Sequence, residues 1–121
     1  MIYKSTHRYA RISARKVRHL ATMVRGKFAD EALNLLRYQP QRGARLLEQV
    51  IKSAVGNAQE RSQAKEGRAI DIEELVLTDV RIDGGPMFKR IRPRARGMAF
   101  TVKRRMSHIA VTVQDLESLS E

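Results

Sequence analysis

Arg90, Arg92, Arg94 and Arg96 occupy alternate positions in a chain of 121 residues, with Ile91, Pro93 and Ala95 between them. Along an extended segment successive side chains point to opposite faces, so this spacing predicts four guanidinium groups along one side. Four like charges in a row repel one another, and no folding argument favours them. A polyanion would account for them, and nucleic acid is the commonest one. Arginine outnumbers lysine six to two across residues 89–105. Its planar fork can hold two phosphate oxygens at once and stack on bases. That suits shape-specific contacts with folded RNA better than a diffuse halo of charge.

The residue types that carry catalysis are arranged far less suggestively. His7, His19 and His108 are scattered, and there is no cysteine to complete a metal site or form a disulfide. Ser107 and His108 are sequence neighbours, which in a strand places a nucleophile and its base on opposite faces. The glycines at 84, 85 and 97 lack the strand–loop–helix setting of a phosphate-binding loop. No residue is put forward as catalytic, and no metal or cofactor is expected.

Charge is segregated along the chain, whose formal net charge is +11. Residues 1–29 hold eight Lys or Arg and no acid, and residues 84–114 repeat that count. The intervening 30–83 hold eight basic and ten acidic residues, and 115–121 hold three acids and no base. The middle therefore reads as an ordinary scaffold, and two separate segments carry the charge. Aromatics are only 5%, which argues against binding single strands mainly by stacking. Hydrophobic residues reach 42%, enough for the modest core of one domain. Met1–Ala10 lacks a signal-peptide core, and no window approaches the ~18 apolar residues of a membrane span. The chain is expected to be soluble and intracellular.

The elements that must position these charges can be read from periodicity. Ser13 is a good N-cap, and Val17, Leu20, Ala21 and Val24 then form one helical stripe that ends at Gly26. The other face carries Arg15, Lys16, Arg18, His19 and Arg25. A second helix is expected over Ala29–Tyr38, with Asp30 and Glu31 in its first turn and Pro40 barring its continuation. The third, about Arg42–Arg61, has the stripe Leu47, Val50, Ile51, Ala54, Val55 and Ala58. Gly56 within it would suit close packing against a neighbour, and Lys65–Arg68 reads as a connection. Leu75, Leu77, Val80 and Ile82 suggest a strand whose phase shifts near Thr78, as at a bulge. Gly84-Gly85-Pro86 reads as turn chemistry or the start of a loop. Met98, Phe100 and Val102 alternate, as do Ile109, Val111 and Val113. Strands on both flanks turn the acid-free stretch into a long hairpin, and Met87, Phe88 and Ile91 at its tip have no core to enter.

The run Asp83-Gly84-Gly85-Pro86-Met87-Phe88-Lys89-Arg90-Ile91-Arg92-Pro93-Arg94-Ala95-Arg96-Gly97, with Lys103-Arg104-Arg105-Met106-Ser107-His108-Ile109 after it, closely resembles the family of bacterial large-subunit ribosomal protein twenty-two. Ile12–Arg18, Val24–Lys27 and Ser53–Ala58 are similar to that family's helical signatures, in the same order, so nearly the whole chain takes part. The resemblance implies an α+β fold of one domain over residues 1–121. Three helices would pack on a small three-stranded antiparallel sheet, and a long basic β-hairpin would protrude, with residues 83–98 as its tip region. It implies a structural, non-enzymatic constituent of the large ribosomal subunit, in the cytoplasm, that binds ribosomal RNA and supports its assembly. The hairpin tip would lie in the wall of the nascent-peptide exit tunnel.

Carried over residue by residue, the ribosomal-RNA contacts would be Arg11, Ser13, Arg15, Lys16, Arg18, Arg25, Lys27, Lys89, Arg90, Arg92, Arg94, Arg96, Lys103, Arg104, Arg105, Ser107 and His108. The tunnel tip would be Met87, Phe88, Lys89, Arg90, Ile91, Arg92, Pro93 and Arg94. Partners would be large-subunit RNA, neighbouring ribosomal proteins and the nascent peptide in transit, with no DNA and no membrane span. The family usually has a basic residue where this chain has Met98, and threonine where it has Met106. A second class, a DNA-bending protein with a basic β-arm, is disfavoured because such arms come in pairs from obligate dimers. A membrane-surface binder would need a basic amphipathic helix with bulky apolar anchors, which is missing here.

Overall fold

A computed structural model describes residues 2–116. Strand β1 (Ile2–Ala10) is followed by helices α1 (Ala14–Val24), α2 (Ala29–Arg37) and α3 (Arg42–Glu66), then by strands β2 (Leu75–Pro93) and β3 (Ala99–Asp115). Short 3₁₀ turns at Ile72–Glu74 and Ala95–Gly97 precede β2 and join β2 to β3. The sheet is antiparallel in the order β1-β3-β2, so β3 is central. The expected architecture of three helices on a three-stranded antiparallel sheet is present. Of the acidic 115–121 segment, only Asp115 and Leu116 fall within the described residues.

The helical stripes read from sequence form the core. Val17, Leu20, Ala21 and Val24 of α1 are buried, together with Leu47, Val50, Ile51, Ala54, Val55 and Ala58 of α3. They meet Leu75, Leu77, Val80 and Ile82 of β2 and Ile109, Val111 and Val113 of β3 in one apolar cluster. Register matches these sets, because Leu77 pairs with Val113, Val80 with Val111 and Ile82 with Ile109. Directly opposed residues share a face, so these pairs stack their side chains towards the helices. Between Leu77 and Asp79 the register slips against β3, leaving Thr78 as the extra residue of the expected bulge.

Several local readings need correction. The third helix does not stop at Arg61; it runs 25 residues to Glu66 and ends where Gly67 adopts φ +74. Gly supplies that left-handed cap, so Lys65 and Glu66 are the last helical turn rather than a connection. Gly56 is exposed and no atom lies near its would-be Cβ, so packing does not explain it. The close approach is instead at Gly43, where a Cβ would stand 3.3 Å from methyls of Ile12, Val17 and Leu20. Gly84-Gly85-Pro86 is neither turn nor loop. β2 continues through it with a second bulge, between the pairs Gly84–Ser107 and Met87–Arg105. A Cβ on Gly85 would come 3.2 Å from the Met106 carbonyl oxygen, so any side chain there would crowd the close approach of the two strands.

β1 was not apparent from periodicity, because its residues Tyr3 and Ala10 are buried while most between them are polar. Tyr3, opposite Val113, is 2% exposed. Burial first, and then the carboxylates of Asp115 and Glu66, hold its phenol above the ordinary value of 10.0, with Arg61 pulling the other way. The folded state thus favours the protonated phenol. That contribution is complete below about pH 10 and is lost as pH climbs through the folded value. The denaturant midpoint should therefore fall more between about pH 9 and pH 11 in the natural chain than in Tyr3→Phe, with lysine titration cancelling in the comparison.

Candidate nucleic-acid interface

The two acid-free segments, distant in sequence, face each other across one cleft of about 1100 Å³. One wall is the chain entering α1, with Arg11, Ile12 and Ser13, together with Lys16 and His19 of the helix itself. The floor is the start of α3, with Gln41, Arg42 and Gly43. The hairpin forms the other wall through Phe88 and Arg90 of β2 and Lys103, Arg104, Arg105 and Met106 of β3. Among the described residues, seven Lys or Arg side chains line the cleft, and no Asp or Glu does.

Local structure reinforces this potential. Neither α1 nor α3 has an acidic residue in its first turn or a side-chain hydrogen bond at its N-cap, whereas α2 carries Asp30 and Glu31 there. The two helix ends at the cleft therefore keep an uncompensated positive partial charge, which suits phosphate, although Lys16 and Ala44 already donate their backbone N–H groups to the Ser13 and Gln41 carbonyl oxygens. Gly43 is what allows α1 and α3 to approach so closely at this point. Arg42 donates from Nη1 to the Arg11 carbonyl oxygen at 2.9 Å, which ties the start of α3 to the chain entering α1. Arg42 escaped the sequence reading because it lies in the charge-balanced middle segment; its place at a helix start beside Gly43 was the available signal.

The remaining candidate residues separate by what they already do. Arg15, exposed on α1, lies outside the cleft. Arg18 donates from Nε and Nη2 to the Ile82 carbonyl oxygen (3.3 and 3.2 Å), and Arg25 donates from Nη2 to that of Val80. Leu77 exchanges backbone hydrogen bonds with Gly26 and Lys27, at 2.8 and 2.9 Å. Together these cover the outer edge of β2, which would otherwise present unpaired backbone groups. Lys27 also lies 3.9 Å from Glu31.

Ser107 is fully buried, and its Oγ has no hydrogen-bond partner, so it is withdrawn from the exposed contacts expected of it. His108 is half-buried; its Nδ1 accepts the Tyr9 N–H at 3.0 Å and its ring meets that of Tyr9 edge-on at 5.0 Å. That bond holds the irregular end of β1, where register shifts between His7 and Ala10 and Tyr9 has φ 60.

The arginine row is shorter than its spacing predicts. Arg90 opposes Val102 and Arg92 opposes Phe100 on the β2–β3 ladder, which ends at Pro93 opposite Ala99. Arg94 lies past the strand and Arg96 sits in the turn with φ 63, where strand alternation no longer dictates direction. The reversal itself breaks the row, because a chain that doubles back cannot stay extended. The hairpin's extremity is likewise Arg94–Met98. Met87 and Phe88 oppose Arg105 and Arg104 well back along the arm, so they are not tip residues. Lys89, Arg90, Ile91, Arg92 and Pro93 are exposed along the outer β2 leg.

Among the described residues, no His, Asp or Glu cluster could hold a metal ion, and no helix is long and apolar enough to cross a membrane. In comparisons with known proteins, residues 5–114 match the family described as ribosomal protein L22p/L17e. The large ribosomal subunit protein uL22 of Rhodopirellula baltica is 65% identical over 97% of this chain and 98% of its own. Its namesake in Caldicellulosiruptor saccharolyticus is 43% identical over 93% of this chain and 88% of its own. That of Maridesulfovibrio salexigens is 42% identical over 90% and 94%.

Proposed function

Because the chain belongs to the ribosomal protein L22p/L17e family, we propose that it is a structural constituent of the large ribosomal subunit and holds ribosomal RNA in the cleft between α1, α3 and the hairpin. The observation that carries this reading is the convergence of two acid-free segments on one concave surface with, among the described residues, seven cations and no carboxylate. Self-repulsion makes such a surface costly alone, and phosphate neutralises it. Arg11, Lys16, Arg90, Lys103, Arg104 and Arg105 are the phosphate contacts, joined by Arg42. Lys89, Arg92, Arg94 and Arg96 extend the contact along the arm, and Arg15 adds to it from the exposed face of α1. Arg18 and Arg25 act indirectly by fixing α1 against β2.

The arm, exposed on both faces from Pro86 to Thr101, needs surroundings to order it, since a two-stranded ribbon is marginal in water. RNA packed along it during assembly supplies them. Its end, Arg94–Met98, is the part that meets the exit tunnel and the peptide passing through it, and neighbouring ribosomal proteins share the subunit. In fractionated extract the protein should sediment with the large ribosomal subunit and leave it at high salt. Recovery with nucleoid DNA, and none with the subunit, would show instead that the arm serves DNA.

A further inference from the structure

Phosphate binding leaves Phe88, in the wall of the cleft, unexplained. It stays outside the apolar core, opposes Arg104 across the ladder and is 48% exposed. The Arg90 guanidinium carbon lies 5.3 Å from its ring centroid, so a cation covers part of the ring. Ile12 and Met106 line the same cleft, which gives it an apolar patch inside a rim of cations. Resting on the reading of the cleft as an RNA site, we propose that it receives one unpaired ribosomal-RNA nucleotide, whose base stacks on Phe88 while Arg11, Lys16 and Arg104 hold its flanking phosphates.

The chemistry selects this occupant over two others. A continuous duplex offers phosphates but keeps its bases stacked on each other, leaving Phe88 bare. An acidic peptide would satisfy the cations but brings no planar face for the ring or for the Arg90 guanidinium beside it. An unpaired nucleotide presents both, a π-face and a phosphate on either side. Pockets for small ligands run to roughly 1,000 Å³, so a cleft of about 1100 Å³ has room for a nucleotide with its backbone. A single stacking residue also fits a chain with only 5% aromatics, which could not provide a multi-base platform.

The chain contains no tryptophan, so Phe88→Trp in the full-length protein introduces a unique fluorophore at the proposed stack. The probes are a short RNA duplex with a single bulged adenosine, the same duplex fully paired, and poly-glutamate. The bulged duplex should quench the tryptophan, and the paired duplex should bind with little quenching. With the natural chain as reference, Phe88→Leu should bind the bulged RNA roughly 5- to 100-fold more weakly with an unchanged salt slope, because apolar area remains but the π-face is gone. Equal binding of both duplexes without quenching would overturn the stacked nucleotide and leave the RNA cleft standing. Failure of both RNAs to bind would overturn the cleft reading itself. Quenching by poly-glutamate that matches the bulged RNA would overturn both in favour of an acidic protein partner.

Discussion

Replacing Arg11, Lys16, Arg104 and Arg105 together by glutamine weakens binding to large-subunit ribosomal RNA about three-hundred-fold at near-physiological salt. Each phosphate contact contributes roughly 0.7–0.9 to the slope of log affinity against log salt, so losing four removes about three units. Taken from about 1 M salt, where counterion release adds nothing, down to about 0.15 M, that slope accumulates to roughly two and a half decades. The fold should not suffer. All four side chains are exposed, and none of them makes an intramolecular hydrogen bond or ion pair among the described residues. Relief of like-charge repulsion should hold the thermal midpoint level or raise it. Filter binding over a salt series reads both affinity and slope. A slope that stays the same would mean that these charges do not meet phosphate, whatever happens to affinity at one salt concentration.

Leu20→Ala is expected to cost about 2–5 kcal/mol, a large share of the ~5–15 kcal/mol that holds a domain of this size together. Leu20 is fully buried on α1, and its Cδ1 is one of the three methyls that would crowd a Cβ at Gly43. Truncation leaves a cavity between α1 and α3 directly beneath the cleft. Gly43→Ala alone pushes a methyl to 3.3 Å from Ile12, Val17 and Leu20, so its gain in helix propensity is offset by overpacking. In the double variant, the new methyl enters space that Leu20 has vacated. The two changes should therefore be non-additive, with the pair more stable than the sum of the singles by about 0.5–1 kcal/mol or more. Urea unfolding of the four proteins of the cycle measures this term. Strict additivity would place the tight contact elsewhere and remove the reason for glycine at position 43.

Much of this was legible in the chain before its fold was known. The stripes of α1 and α3 are strong because each position repeats on one face, and every residue named in them is buried. The Thr78 bulge showed as a slip of phase, since one extra residue in a strand moves every later side chain to the other face. β1 was hidden because Tyr3 and Ala10 are its only buried residues, too few to make a pattern. The length of α3 was underestimated because its last turn is almost entirely exposed and carries no apolar signal. The bounds Met87–Arg94 given to the tip came from the resemblance rather than from any pattern in the residues. Strand register, which no local pattern carries, takes the ladder on to Pro93 and puts the reversal at Arg94–Met98.

By itself, the sequence determined that the protein is basic in two separated blocks, that its elements are three helices and a long hairpin, and that such charge calls for a polyanion. Composition and periodicity are local properties, and they survive without knowledge of what touches what. Only the tertiary structure decided that Arg11 and Lys16 face Lys103–Arg105 across one cleft, that Arg18 and Arg25 are bound to the edge of β2, and that the arginine row breaks at Arg96. Those outcomes depend on strand register and on the approach of α1 to α3 at Gly43. Periodicity names the face a side chain occupies, and packing alone names the surface which that face meets.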